Sequence, residues 1–212
     1  MISTVLFDMD GTLLDTTELT LSAFNYTWLQ YFKKPFKRDL WDVGRVLRKQ
    51  FLVFEKDEQR VDAMLETFRD HVRERHDDLC RIYPGIPEML DNLSGHEIKM
   101  GIVSSKVEEL VRRELSMFNI DRYFDVFICA DNFPVHKPDA RPILHAMEQL
   151  SAEKSATLFV GDSTMDIQAA HNAGIPIVAV LWGPGNNETI RDAKPDYIAS
   201  SLNELESYIL EL

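Results

Sequence analysis

The chain has 212 residues, of which 45% are hydrophobic and 27% are charged, so it is long enough to bury a core and too apolar to be disordered. Its formal net charge of −12 argues against nucleic acid or an anionic membrane as a partner, because both are polyanions. Any site for an anionic ligand must therefore be locally positive, through a metal ion, a lysine or backbone N–H groups.

The cysteines and the N-terminus indicate a cytoplasmic protein. Cys80 and Cys129 lie far apart and outside any metal-ligand spacing, which predicts free thiols in a reducing compartment. Residues 1–4 lack the basic start and the long apolar run of a signal peptide. The most apolar later stretch, 175–182, is too short to span a bilayer. Nothing in the sequence indicates the oligomeric state.

Five short apolar runs predict the buried strands of a parallel sheet, because a strand covered on both faces is apolar throughout. The runs are 4–7, 100–103, 126–128, 157–160 and 177–180. Helical patterns separate the later runs, and this alternation predicts right-handed crossovers and a doubly wound, Rossmann-like α/β fold. Ligands of such sheets bind at the carboxyl ends of the strands.

Residues 16–81 interrupt the alternation of strands and helices. The stretch Asp15–Glu18 reads as a capping box that starts a helix, and apolar residues then recur at helical spacing over 21–32 and again over 61–72. We therefore expect an all-helical cap domain at 16–81, inserted into an α/β core formed by 1–15 and 82–212. The Tyr-Pro-Gly sequence at 83–85 marks the return of the chain to the core.

The first candidate motif, Asp8-Met9-Asp10-Gly11-Thr12, directly follows the first apolar run. Two carboxylates two residues apart in extended chain point the same way, and a glycine lets the backbone turn and approach a ligand. Asp and Gly are also common in ordinary turns, so the motif alone leaves a turn and a site equally open.

Three further motifs also follow apolar runs. Asp162 and Asp166 lie four residues apart across a strand-to-helix turn, where both can reach one hard cation, although Asp162 or Ser163 could also cap the helix. The sequence Ser104-Ser105-Lys106 offers hydroxyl and N–H groups to phosphate at a helix start. Lys137 lies in the loop after the third run. All four motifs are expected at the same end of the sheet.

In this order, the four motifs resemble those of the haloacid dehalogenase superfamily, and the resemblance covers essentially the whole chain. The helical insert resembles the small mobile cap of the phosphoglycolate phosphatase-like branch. Residues 4–15 and the loop at 137–139 resemble the bacterial pyrophosphatases of that branch as closely as the phosphoglycolate enzymes. The resemblance implies a magnesium-dependent phosphatase that acts on a small phosphorylated metabolite through an aspartyl-phosphate intermediate.

The resemblance also implies a role for each motif residue. Asp8 would be the nucleophile, Asp10 the general acid and base, and Lys137 the group that neutralises charge and steadies Asp8. The residues implied in phosphate binding are Gly11, Thr12, Ser104, Ser105 and Lys137. Magnesium would be held by the Asp8 carboxylate, the Asp10 backbone carbonyl and Asp162, with Asp166 in support.

Within the insert, residues 43–48 resemble the glycine-containing specificity loop that descends over the active site in related caps. Gly44 would permit a backbone turn there, and Arg45 or Arg48 could pair with a second anionic group of the substrate. An exposed arginine with no such role is an equally good interpretation of either position taken alone.

Two other functions compete with the phosphatase. A phosphomutase of the beta-phosphoglucomutase kind shares the nucleophile and the acid. The resemblance to that group is weaker at the last motif, where its members have Glu-Asp and this chain has Gly161-Asp162. A non-catalytic phosphate-binding regulator would be expected to have lost one of the four motifs, and all four are present. Phosphoglycolate, pyrophosphate, a sugar phosphate and a nucleoside monophosphate all remain open as substrates.

Overall fold

Eight strands and nine α-helices make up the computed structural model, which describes all of residues 1–212. The strands are β1 (Thr4–Phe7), β2 (Leu14–Asp15), β3 (Arg81–Ile82), β4 (Lys99–Val103), β5 (Val126–Ile128), β6 (Thr157–Gly161), β7 (Ile177–Val180) and β8 (Tyr197–Ala199). The helices are α1 (Thr17–Phe32), α2 (Leu47–Leu52), α3 (Glu58–Leu79), α4 (Ile86–Gly95), α5 (Glu108–Met117), α6 (Arg141–Leu150), α7 (Thr164–Ala173), α8 (Asn187–Asp192) and α9 (Leu202–Glu211).

Six of the strands form one parallel sheet in the order β5-β4-β1-β6-β7-β8. From the central β1 the chain builds outward through β4 and β5, then crosses to the other side through β6, β7 and β8. This reversal confirms the predicted doubly wound fold. The crevice at the carboxyl end of β1 is the topological switch point, where ligands of open α/β sheets bind.

The sheet is covered on both faces, as its continuous apolar runs predict. Along β1, Val5 and Phe7 belong to one buried apolar cluster and Leu6 belongs to the other, because successive side chains of a strand point to opposite faces. The sixth strand of the sheet, Tyr197–Ala199, was not predicted, because it is a short edge strand with two half-buried residues and lacks the fully buried apolar run that marks the central strands.

The segment between β2 and β3, residues 16–80, is here called the helical insert. Its helices α1, α2 and α3 pack together, and Phe24 lies at their centre with ring centroids 4.7 Å from Phe36, 5.7 Å from Phe51 and 5.0 Å from Phe68. The antiparallel pair β2–β3 joins both ends of the insert to the rest of the chain. None of the nine α-helices combines the length and the apolar composition that a bilayer crossing requires.

The capping box predicted at Asp15–Glu18 does not form. Asp15 instead accepts a hydrogen bond from the backbone N–H of Thr17 at 3.0 Å. Thr16 occupies the N-cap position of α1 but makes no side-chain cap, because its hydroxyl donates to Asp10 at 2.6 Å. The N-cap of α1 therefore lies one residue later than the capping-box pattern predicts.

Candidate active site

The four sequence motifs converge at the switch point of the sheet. Asp8 follows β1, Ser104 follows β4 and Asp162 follows β6, and these three strands are neighbours. Lys137, from the loop after β5, reaches the same place and lies 2.9 Å from Asp8 through its Nζ and the carboxylate Oδ1. The position of each motif is thus a direct consequence of the strand order.

Lys137 links two buried carboxylates. Its Nζ lies 2.9 Å from Asp8 Oδ1 and 2.6 Å from Asp166 Oδ1, and all three side chains are almost inaccessible to solvent. Burial raises the pKa of Asp8 to about 7, although the charge of Lys137 acts in the opposite direction. Burial also disfavours the ammonium form of Lys137, but the charges of Asp166 and Asp8 outweigh it and keep the pKa of Lys137 raised.

Asp166 and Asp162 differ in what their oxygens contact. Asp166 completes a capping box with Ser163: its Oδ2 accepts from the Ser163 backbone N–H at 3.0 Å and from the Ser163 hydroxyl at 2.5 Å. Its other oxygen accepts from Lys137. Asp162 Oδ2, in contrast, is buried and has no hydrogen-bond partner. Asp162 therefore has a ligand atom to offer, and Asp166 has both oxygens engaged.

This acidic cluster is suited to a divalent cation. Asp8, Asp162 and Asp166 each offer a carboxylate oxygen, and these atoms lie within 4.8 Å of one another. Burial, together with the charges of Asp166 and Asp8, holds the pKa of Asp162 well above its ordinary value. Lys137 supplies one positive charge against these three carboxylates, so a divalent cation would balance the remainder. Hard cations prefer oxygen ligands of this kind.

Asp10 has different neighbours from Asp8. Its side chain is about one third exposed, and its Oδ1 accepts two hydrogen bonds, from Thr16 Oγ1 at 2.6 Å and from Lys106 Nζ at 2.8 Å. Thr16 begins the helical insert and Lys106 follows β4, so Asp10 is held from two parts of the chain. The two aspartates of the first motif therefore occupy separate polar environments.

Gly11 and Gly183 leave room beside Asp162. A Cβ atom on either glycine would collide with Asp162 Oδ2, and Gly11 also has a φ of +82°, which disfavours any other residue. The loop after β7, which carries Gly183, was not predicted to take part in the site. Both glycines therefore keep the space around the unpartnered oxygen of Asp162 free of side-chain atoms.

The residues predicted to bind phosphate lie around this centre, with several of their hydroxyl groups already engaged. Thr12 is fully buried, and its hydroxyl faces Asp162 Oδ1 at 3.5 Å. The hydroxyl of Ser104 accepts from the backbone N–H of Lys106 at 3.2 Å. The hydroxyl of Ser105 donates to the carbonyl oxygen of Gly44 at 3.0 Å, which joins the core to the insert.

A cleft of about 450 Å³ opens between the helical insert and the strand ends. Asp8, Asp10 and Ser104 line one side of it, and Gly44, Arg45 and Arg48 line the other. Arg45 pairs with Asp42 at 2.6 Å, whereas Arg48 pairs with Glu58 at 3.0 Å and also with Asp62. Both arginines therefore face the cleft with acidic neighbours from the insert itself.

The sequence interpretation missed Thr16, Glu114 and the contact that Lys106 makes with Asp10. A lysine directly after Ser104-Ser105 at a strand end was a visible signal for Lys106, and a fully buried glutamate on an otherwise amphipathic helix cannot be recognised before its burial is known. The contact between Lys106 and Asp10 joins positions 96 residues apart, so no local pattern indicates it.

Comparisons with known proteins agree with this architecture. Residues 5–180 match the family model described as haloacid dehalogenase-like hydrolase. The chain is 34% identical over 206 residues to a pyrophosphatase PpaX of Halalkalibacterium halodurans, with 96% of this chain and 95% of that protein covered.

Two solved structures are similar over nearly their full length. One is described as a predicted phosphatase from Clostridium acetobutylicum, with 26% identity, a TM-score of 0.88 and all of both chains covered. The other is a predicted phosphoglycolate phosphatase from Haemophilus somnus, with 25% identity, a TM-score of 0.87 and coverage of 98% of this chain and 97% of that one. The chain is a member of the haloacid dehalogenase-like hydrolase family.

Proposed function

We propose that this protein is a magnesium-dependent phosphatase that hydrolyses a small phosphate ester or pyrophosphate through a phosphate group carried on Asp8. The observation that carries the proposal is the group formed by Asp8, Lys137 and Asp162: a buried carboxylate held by a lysine, beside a second carboxylate oxygen with no partner. Its relatives, which include a pyrophosphatase and a predicted phosphoglycolate phosphatase, support the substrate class.

In the proposed first step, a carboxylate oxygen of Asp8 attacks phosphorus while the bond from phosphorus to the leaving oxygen breaks. Asp10 gives its proton to that leaving oxygen. Lys137 holds Asp8 in place and offsets charge as the phosphoryl group arrives. Backbone and side-chain donors from Gly11, Thr12, Ser104 and Ser105 would bind the phosphoryl oxygens.

In the proposed second step, Asp10 takes a proton from water, and the water oxygen attacks phosphorus. The bond between phosphorus and Asp8 then breaks, which releases inorganic phosphate and restores the carboxylate. Magnesium, held by Asp8, the Asp10 backbone carbonyl and Asp162 with Asp166 in support, would offset the repulsion between the carboxylate nucleophile and the phosphate dianion.

We further propose that residues 1–15 and 82–212 form a catalytic core and that residues 16–81 form a cap that selects the leaving group. The cap carries Gly44, Arg45 and Arg48 on the side of the cleft opposite Asp8. A second anionic group on the substrate, such as a carboxylate or a phosphate, would pair with one of the arginines. Cys80 and Cys129 are free and buried, which fits the cytoplasmic location expected from the sequence.

The test is turnover of purified protein on a panel that includes phosphoglycolate, pyrophosphate, a sugar phosphate and a nucleoside monophosphate, with and without magnesium. We expect magnesium-dependent release of inorganic phosphate from at least one of them. No release from any of these, or from para-nitrophenyl phosphate, would contradict the proposed activity.

A further inference from the structure

Two charged residues, the half-buried Lys106 and the fully buried Glu114, lie behind Asp10. Lys106 Nζ is 2.8 Å from Asp10 Oδ1, and it also donates to Glu114 Oε1 at 2.8 Å and to Glu114 Oε2 at 2.6 Å. Glu114 belongs to α5 and its side chain is fully buried. A buried carboxylate is costly unless it is paired and hydrogen-bonded, so Lys106 is what makes Glu114 tolerable in this position.

The helical insert contacts these residues at both of its ends. Thr16, at its start, donates to Asp10 Oδ1 at 2.6 Å. His76, in the last turn of α3, is completely buried, with its Nε2 3.3 Å from Glu114 Oε1. The Nε2 atom has no hydrogen-bond partner, so His76 packs against the Glu114 carboxylate without a hydrogen bond.

Asp10 is therefore fixed through one oxygen. Oδ1 takes both donors, Thr16 and Lys106, whereas Oδ2 takes no hydrogen bond from the protein, and the residue lines the cleft. We propose that Lys106 and Glu114 are positioning residues that hold Asp10 with one oxygen directed at the leaving group. The inference rests on the proposed function, in which Asp10 moves the proton.

The ion pairs of Lys106 with Glu114 and with Asp10 explain why both Lys106 and Glu114 are needed. Lys106 alone could turn its ammonium group toward any acid in the cleft, because its side chain has four rotatable bonds. The two oxygens of Glu114 take two of the three protons of that ammonium group, which leaves the third for Asp10. Glu114 thus fixes Lys106, and Lys106 fixes Asp10.

The same region offers a competing interpretation as a metal site. His76, Cys80 and Glu114 are buried, with ligand atoms within 4.8 Å of one another. Both oxygens of Glu114 are occupied by Lys106, however, and an ammonium group at 2.6 Å would repel a cation placed beside that carboxylate. The geometry therefore favours an ion-pair chain, and metal analysis of the purified protein distinguishes the two interpretations.

The experiment compares two substrates of nearly the same shape, phenyl phosphate and para-nitrophenyl phosphate. Phenol needs a proton to leave, whereas para-nitrophenol leaves readily without one, so only phenyl phosphate depends strongly on a well-placed Asp10. The readout is kcat/KM, which reports the step that expels the leaving group and not the later hydrolysis of the phosphorylated enzyme. Lys106→Met and Glu114→Gln should lower kcat/KM for phenyl phosphate about 30- to 100-fold and for para-nitrophenyl phosphate less than about 5-fold.

The matched control is Glu109→Gln, an exposed position on the same helix, which should leave both substrates unchanged. If either single variant fails to fold, the double variant Lys106→Met/Glu114→Gln removes both charges and leaves neither buried alone. It should show the same selective loss on phenyl phosphate.

Equal losses of kcat/KM on both substrates in folded variants, or no loss on either, would overturn the positioning role. Stoichiometric bound metal that is lost in Glu114→Gln but retained in Asp162→Asn would also overturn it. A wild-type protein that hydrolyses neither ester would instead contradict the proposed function.

Discussion

Asp8 and Asp10 are two residues apart, yet their surroundings differ in a way that supports the different roles proposed for them. Asp8 is buried and lines the cleft, and Lys137 Nζ lies 2.9 Å from its Oδ1. Asp10 is partly exposed and is held through Oδ1 by Thr16 and Lys106. A nucleophile needs a fixed, charge-balanced position, whereas a group that gives and takes a proton needs a free oxygen near solvent.

Replacing Asp8 should therefore differ from replacing Asp10. Asp8→Asn keeps the shape of the side chain but removes the nucleophile, so kcat should fall at least about 1,000-fold and no phosphate should become attached to the protein. Asp10→Ala should also be slow, but with para-nitrophenyl phosphate it should accumulate phosphate on Asp8, because the base for the second step is missing. Mass spectrometry of acid-quenched protein measures the label. A labelled Asp8→Asn protein would show that the nucleophile lies elsewhere.

The glycine after Asp10 should be intolerant of a side chain. Gly11→Ala places a methyl group against Asp162 Oδ2 at a φ of +82°, so we expect a loss of about 1–3 kcal/mol in the free energy of unfolding. Magnesium affinity should fall at least about 10-fold, because the displaced oxygen is a proposed ligand. Gly95→Ala is the control, since nothing lies within 4 Å of that position. Unchanged magnesium affinity in Gly11→Ala would remove Asp162 Oδ2 from the metal site.

At this scale, the sequence predicted the residues whose position follows from a strand end. Asp8, Ser104 and Asp162 each follow a readable apolar run, so the sheet itself brings them together. Thr16, Glu114 and Gly183 could not be found in this way. Their contacts depend on how a helix or a later loop packs against the site, and no local pattern encodes that packing.

Among the elements, the loop at 43–46 and the start of helix α2 line the side of the cleft that we propose faces the leaving group. Gly44 packs against Ser163, with its carbonyl oxygen bonded to the hydroxyl of Ser105. The insert and the core therefore meet beside the residues proposed to bind phosphate. The specificity role of this loop, inferred from its resemblance to related caps, stays a prediction. The capping box at Asp15–Glu18 was wrong because the N-cap of α1 is Thr16, one residue later than the pattern predicts.

Removing a cleft arginine should affect anionic leaving groups selectively. If Arg45 or Arg48 pairs with a second anionic group of the substrate, its replacement by alanine should lower kcat/KM for pyrophosphate or phosphoglycolate about 10- to 100-fold. We expect a moderate loss because both arginines already pair with acidic side chains, which compete with the substrate for them. Para-nitrophenyl phosphate lacks the second anion and should change much less.

The matched control for these variants is Arg73→Ala, which breaks an exposed ion pair with Asp70 on α3, away from the cleft. It should leave all substrates unchanged. Equal losses on anionic and neutral leaving groups in Arg45→Ala and Arg48→Ala would mean that the insert selects substrates by shape and not by charge.

At the scale of the whole molecule, the protein is strongly acidic and its candidate active site is also rich in carboxylates. Five carboxylates, those of Asp8, Asp10, Glu114, Asp162 and Asp166, surround the two ammonium groups of Lys106 and Lys137. The protein's own cations therefore do not make the site positive. The requirement drawn from the net charge, a local positive charge for an anionic substrate, points to a bound cation as the missing contribution.

Without a cation, these acids should make stability fall as the pH rises. Folding raises the pKa of Asp8 from 3.8 to about 7, and that of Asp162 well above 3.8, because burial favours the protonated form. The folded state then binds protons more tightly than the unfolded one, so the contribution is complete below about pH 4 and is lost as the pH rises to about 7. Thermal unfolding of chelator-treated protein across this range measures the fall, and Asp162→Asn should flatten it.

Magnesium should reverse this loss of stability. It binds the ionised carboxylates of the folded protein, so the unfolding temperature should rise with magnesium concentration, and it should rise more at pH 8 than at pH 5, where protons compete for the same oxygens. Asp162→Asn removes the unpartnered ligand and should abolish the magnesium-dependent rise in unfolding temperature. Without metal, the unfolding temperature of this variant should be no lower than that of the wild type, because one buried charge is gone. The control is Asp70→Asn, an exposed acid on α3, which should keep the full magnesium response. A magnesium response that persists in Asp162→Asn, or that is larger at pH 5 than at pH 8, would place the cation outside this cluster.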